Sequence, residues 1–173
     1  MDSLSQSALH KDQFHLRPAT LRDMKLLWEW ANAPSVRANS FHPETIPFDE
    51  HVEWLQKKLL SPDTFIWVLY LNQVPVAQIR YDRLEGNMDS AEIDFSVVSD
   101  YRGKGLGLKI LKLTTDMACN KLGVKYLRGV VLNSNKASVS AFIKAGFKYQ
   151  GQEQIYGKLC SIYMYTKSEL QEA

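Results

Sequence analysis

The chain has 173 residues and a mass of 19.8 kDa, the size that one hydrophobic core serves well and two would divide poorly. Hydrophobic residues make up 45%, charged residues 23%, and the mean hydropathy is -0.27, a globular composition that excludes disordered, collagenous and coiled-coil classes. With 21 Lys and Arg against 19 Asp and Glu, the net charge of +2 gives no field for a nucleic acid or a lipid surface, so any affinity for an anion must be local.

Residues 1–12 mix Ser, Gln, Asp and Lys without an apolar stretch and read as a tail, with no secretory leader expected. Phe14 to Pro18 reads as a short strand. Thr20 then caps a helix whose apolar Met24, Leu27, Trp28 and Ala31 recur at helical spacing, and Pro34 limits it. After a polar loop, Asp49 is the expected N-cap of a second helix, with Val52, Leu55, Leu59 and Leu60 on one face and an end near Ser61. Phe65 to Leu71 and Val74 to Tyr81 form a hairpin across Asn72 and Gln73, and the former is the longest apolar run, far short of the roughly 20 residues of a membrane span.

Gly86 and Asn87 mark a turn, and Ala91 to Val98 alternates polar Glu92, Asp94 and Ser96 with apolar Ile93, Phe95 and Val97, the period of a strand with two different faces. A glycine-rich loop follows, then a helix to about Lys121 with Leu106, Ile110, Leu113, Met117 and Ala118 as its stripe, ended by Gly123. Tyr126 to Leu132 is a strand and residues 136–145 a helix closed by Gly146. Phe147 to Gln154 and Leu159 to Thr166 are the last strands, around Gly157, and residues 168–173 form a second tail. The order β-αα-ββ-β-α-β-α-ββ predicts one α/β domain over 13–167, a mostly antiparallel mixed sheet of about seven strands flanked by about four helices.

Cys119 and Cys160 lack CxxC spacing and are expected as free thiols of a cytoplasmic protein, and the histidines lack ligand spacing, so no metal is expected. The chemistry concentrates at Arg102, Gly103, Lys104, Gly105, Leu106 and Gly107, between a strand and a helix. Glycines at alternate positions let successive backbone N–H groups converge on an anion such as a pyrophosphate. The spacing fits neither GxGxxG nor GxxxxGK[ST].

Arg102, Gly105 and Gly107 instead match the R/Q-x-x-G-x-G/A signature of the GNAT superfamily of acetyl-CoA-dependent N-acetyltransferases. Asn135 to Phe147 resembles that family's N-x-x-(A/S)-x-x-x-(Y/F)-x-x-x-G-F segment, in the expected order and at the expected separation. The resemblance implies the GNAT fold, with backbone groups of Val97 and Val98 along the pantetheine arm and the loop from Arg102 to Gly107 around the pyrophosphate. It places Asn135 and Phe142 beside the pantetheine and makes the N–H near Val98 the oxyanion donor.

Glu92 stands where histone-type members carry a catalytic glutamate and is the expected base, with Asp94 and Ser96 on the same face. Val130 and Phe142 occupy positions where RimI-like members carry a glutamate and a proton-donating tyrosine. The acid is therefore unassigned among Tyr149, Tyr156, Ser138 or thiolate departure, and a catalytically silent acyl-CoA-binding domain stays open. Trp28 to Trp54 resembles the W-x-N-x-x-x-x-R…H-x-x-W pattern of PseH-type acetyltransferases. That likeness implies an acceptor site with Asn32, Arg37, Ser40 and His51, beside the flat surfaces of Phe41 or Trp54, and a nucleotide-linked 4-amino-4,6-dideoxy sugar as substrate. A protein N-terminus, as in RimJ/RimL-like enzymes, is the other acceptor, and a homodimer stays open.

Overall fold

The computed structural model describes residues 12–167, so the expected tails lie outside it apart from Asp12. Seven strands form one sheet in the order β1-β2-β3-β4-β5-β7-β6. They are β1 (Phe14–Pro18), β2 (Thr64–Leu71), β3 (Val74–Leu84), β4 (Asn87–Val97), β5 (Tyr126–Leu132), β6 (Lys148–Ile155) and β7 (Lys158–Thr166). All neighbouring pairs are antiparallel except β4 with β5. Five helices flank the sheet: α1 (Met24–Ala31), α2 (Pro34–Ala38), α3 (Phe48–Leu60), α4 (Leu106–Leu122) and α5 (Lys136–Lys144).

The helix beyond the expected four is α2. Pro34 does end the preceding helix, but it also occupies the first position of the next, where a missing N–H costs nothing and the fixed φ is already helical. Asp49 is not the cap of α3, which begins at Phe48 after Pro47; Asp49 and Glu50 fill the first turn, where they complement the helix dipole. Thr20 caps a short 3-10 turn that runs into α1, and the Thr20 N–H donates to the Asp23 carboxylate. The turn at Gly86 lies as expected, with φ of 75°, but its strands reach it sooner, so β3 extends to Leu84 and β4 starts at Asn87.

Helices α4 and α5 cover one face of the sheet, over a core that includes Trp67, Ile79, Tyr81, Ile93, Ile110, Leu111, Leu127 and Phe142. The stripe of α4 is rotated from the apolar reading: Leu113 and Met117 are exposed, whereas Thr114 and Thr115 are buried. Their hydroxyls donate to the Ile110 and Leu111 carbonyls one turn back, and the Tyr81 hydroxyl and Thr114 Oγ1 are 2.8 Å apart. On the opposite face, α1 and α3 pack on β2 through Leu27, Leu55, Ile66 and Val68. The two cysteines are free and buried, and among the described residues no helix is long and apolar enough to cross a membrane.

Candidate functional site

The parallel pairing of β4 and β5 ends at Ile93 with Gly129. Beyond that point β4 stays bonded to β3 as far as Val97, and β5 stays bonded to β7 as far as Leu132. The sheet therefore splits into two arms with an opening between them. A cavity of about 860 Å³ includes this opening, with Phe95, Ser96 and Val97 on one arm and Val130, Val131 and Leu132 on the other.

At one end of the cavity lies the glycine loop. Gly103 and Gly105 have φ of 73° and 74°, the left-handed region that only glycine enters without strain. The first main-chain bond of α4 runs from the Lys109 N–H to the Gly105 carbonyl at 3.0 Å, and no side chain caps the helix. The N–H groups from Gly103 to Leu108 thus have no acceptor among the described residues, at the positive end of a 17-residue dipole. Gly107 serves a different purpose: a Cβ there would lie 3.0 Å from a ring carbon of Phe95, so glycine lets α4 close onto β4. Arg102 lines the cavity but donates through Nε to the Val97 carbonyl at 3.0 Å. Lys104 does not line it, and its ammonium sits 4.9 Å over the Tyr101 ring.

Val98 is a correction. Its N–H donates to the Val76 carbonyl at 2.9 Å, so it is no free oxyanion donor, and its residue does not line the cavity. Alternation in an antiparallel pair then turns the main-chain groups of Phe95 and Val97 the other way, toward the opening. Asn135 lines the wall while its Oδ1 accepts from the Ser138 N–H at 3.2 Å, capping α5. Phe142 contributes an apolar wall rather than a contact of its own: it is 2% exposed, stacked on Tyr163 and edge-on to Phe95 and Phe147. Of the hydroxyls considered as acid, Ser138 lines the cavity, whereas Tyr149 and Tyr156 do not and are exposed.

The other half of the cavity lies on the α1–α3 face. Its polar floor is Gln78 and Arg80 of β3 with Glu92, Asp94 and Ser96 of β4, and its roof includes Arg37, Ser40, Phe41 and His42. Glu92 stands opposite Arg128 in register, and its Oε2 accepts from Arg128 Nη1 at 2.7 Å; Arg128 Nη2 donates to Glu153 at the same distance. Arg80 donates to Asp82 at 2.6 Å and lies 5.0 Å over the Trp54 ring. Asp82 also accepts from Lys58 and Thr64. Burial works to raise the Asp82 pKa, but Arg80 and these donors outweigh it and hold the carboxyl below its usual value.

The roof is a strap tied at both ends. Asn32 receives the Ile46 N–H and returns a bond to the Ile46 carbonyl, joined there by the Trp28 indole, so Asn32 anchors the loop and lies outside the cavity lining. Arg37 donates to the carbonyls of Ala31, His42 and Glu44 through Nε and Nη1, and its Nη2 has no acceptor among the described residues. At the tip, Lys158 donates to the Ser40 carbonyl at 2.7 Å, and Tyr156 packs on Phe41 and His42. His51 lines the cavity but is 3% exposed, with no partner for Nε2 among the described residues. Burial lowers its pKa, against a weaker opposing contribution from the Met24 backbone. The sequence does not single out Arg80 and Arg128, although the alternation of Gln78, Arg80 and Asp82 along β3 is a signal for the first.

A family model described as an acetyltransferase (GNAT) domain matches residues 13–148. Curated proteins give no sequence match. Among solved structures, AAC(6')-Ib in complex with ribostamycin and coenzyme A has a TM-score of 0.79 at 21% identity, over 90% of this chain and 94% of that one. The structure of yncA from Salmonella typhimurium with its cofactor acetyl-CoA has a TM-score of 0.78 at 21% identity, over 91% and 96%. Spermidine N-acetyltransferase from Vibrio cholerae with CoA and spermine has a TM-score of 0.79 at 17% identity, over 89% and 95%. At these identities the likeness is one of fold.

Proposed function

The chain belongs to the GNAT family of acetyltransferases, and on that premise we propose that it transfers the acetyl group of acetyl-CoA to a primary amine, the 4-amino group of a UDP-linked 4-amino-4,6-dideoxy sugar. The observation that carries the reading is one cavity with an uncapped array of backbone N–H groups at one end and a carboxylate-lined wall at the other. The fit to the donor rests on this chain's own groups. The N–H groups from Gly103 to Leu108 suit a pyrophosphate. The opening between β4 and β5 suits an extended arm with amides, beside the main chain of Phe95 and Val97 and the wall from Asn135 to Phe142.

Acetyl-CoA supplies a thioester, whose thiolate is a fair leaving group without an acid. The main-chain N–H groups of Phe95 and Val97 then stand in for Val98 as hydrogen-bond donors at the parted strands. Arg37 supports the nucleotide-sugar acceptor, because its free Nη2 and the Phe41 and His42 rings offer a phosphate partner and flat surface on the roof. Glu92 lies on the acceptor wall with one of its oxygens held by Arg128. We place the enzyme in the cytoplasm, with its donor.

The test is calorimetry with acetyl-CoA, followed by thiol release on a panel of UDP-4-amino sugar, spermidine, kanamycin and an N-terminal peptide. Turnover confined to the sugar is expected; turnover on the peptide alone selects a protein N-terminus, and binding without turnover a silent domain. Gly105→Glu should abolish binding, because a side chain at φ of 74° is strained and its carboxylate enters the anion cradle. Near-normal affinity would remove the pyrophosphate from this loop.

A further inference from the structure

The acceptor face of the sheet carries four carboxylates close to three cations. Asp82 takes Lys58 and Arg80 at 2.6 Å, and Glu92 and Glu153 share Arg128 at 2.7 Å. Asp94 is the remaining acid, and its contacts are long: Arg80 Nη1 at 3.5 Å and Gln78 Nε2 at 3.4 Å. Both fall on Oδ2, and Oδ1 has no partner among the described residues. The Asp94 side chain is 56% exposed and lines the cavity, on the same sheet face as Glu92.

Its position along β4 matters as much as its freedom. The last paired residue toward β5 is Ile93, so Asp94 is the first residue of β4 beyond the point where the arms part. Glu92 stands one pair earlier, where the strands are still joined, and its side chain is committed to the partner strand. The Arg80 guanidinium is itself fixed, bonded to Asp82 and lying over Trp54, so its 3.5 Å ion pair steadies Asp94 Oδ2 and leaves Oδ1 to the cavity.

We propose that Asp94, not Glu92, receives the acceptor's ammonium group and takes its proton. The inference rests on the transferase reading above but not on the identity of the acceptor. The ammonium donates one proton to Asp94 Oδ1, and the freed nitrogen pair forms the C–N bond to the acetyl carbonyl as the C–S bond breaks. Sulfur leaves with the bonding pair as a thiolate, and the second nitrogen proton passes to it or to solvent. Asp94 Oδ1, exposed just beyond the last β4–β5 pair, is open to the incoming ammonium.

The test compares Asp94→Asn, Asp94→Glu and Glu92→Gln on the amine of the panel that turns over best, with acetyl-CoA affinity measured by calorimetry on each. Asp94→Asn should lower kcat/KM about 100-fold or more, the range of a lost general base, with donor affinity within twofold of the parent. Asp94→Glu should recover at least tenfold of that loss, and Glu92→Gln should cost less than tenfold. Asp94→Asn within threefold of the parent, or Glu92→Gln as the larger loss, would overturn the assignment. Acetyl-CoA binding without thiol release on any amine, in the parent as in the variants, would overturn the transferase reading and Asp94's role with it.

Discussion

Phe142 illustrates how one side chain can settle the meaning of a sequence motif. The family signature allows Tyr or Phe there, and a tyrosine hydroxyl would be read as an acid; this ring is instead locked by Phe147 at 5.0 Å and Tyr163 at 5.9 Å. Its slot exists because β5 has glycine at 129, where an added Cβ would stand 2.5 Å from a Phe142 ring carbon. Gly129→Val should therefore destabilise the fold by about 3 kcal/mol, the scale of an overpacked core, seen as a lower midpoint in urea unfolding. A midpoint equal to the parent's would mean that the ring can leave its slot. Asp94 and Glu92 make the opposite case: the sequence places both on one face, yet the partner that distinguishes them, Arg128, lies 36 residues from Glu92 and is invisible until the strands are paired.

At the scale of elements, the glycine loop was legible because its chemistry is backbone chemistry: an N–H array requires residues that turn without a Cβ, and glycine spacing records that need. Helix α2 was not, because Pro34 reads as a stop and is also a start. The α4 stripe is not legible at Leu113 and Met117 because apolar periodicity does not register a buried threonine. Thr114 and Thr115 bury well once their hydroxyls bond back along the helix. The strap over the acceptor half was half legible. The sequence pattern marks its anchors Asn32 and Arg37, but as substrate contacts, whereas Asn32 is given to Ile46 and Arg37 divides itself between the loop and the cavity. Arg37→Met should thus loosen the strap as well as remove a cation, raising the acceptor KM about tenfold or more while leaving acetyl-CoA affinity within twofold. An unchanged KM would show that the strap holds without it.

The whole molecule is nearly neutral, and its pH response comes from particular pairs. Asp23 is 4% exposed, bonded by Arg17 through both guanidinium nitrogens at 2.8 and 2.7 Å. Burial works to raise its pKa, but Arg17 and Thr20 outweigh it and hold the carboxyl below the usual 3.8. Because the folded value is the lower one, the stabilisation is complete above about pH 4 and is lost as pH falls through that depressed value. Asp82 adds a second loss in the same window and of the same sign. His51, whose pKa is lowered by burial, acts earlier: the unfolded chain takes up its proton near 6.5 while the folded one resists, so stability declines as pH drops below that value. Asp23→Asn should cost about 2 kcal/mol at pH 7, as expected for bonds to a charged group, and should flatten the fall in stability as pH drops below about 4. A variant as acid-sensitive as the parent would move the effect elsewhere.

The parted strands carry a consequence for the energetics of the whole sheet. Four ladder pairs, from Ser90 with Tyr126 to Ile93 with Gly129, pair β4 with β5, beside the shared core and the Glu92–Arg128 ion pair. The remaining inward edges have main-chain groups that no strand completes, so a ligand lying in the gap acts as a missing rung. Donor affinity and fold stability are then one linked quantity: a ligand at 100 times its Kd adds about 2.7 kcal/mol to the folded state. A ligand that bridges the gap would tie the two arms together beyond their last shared pair.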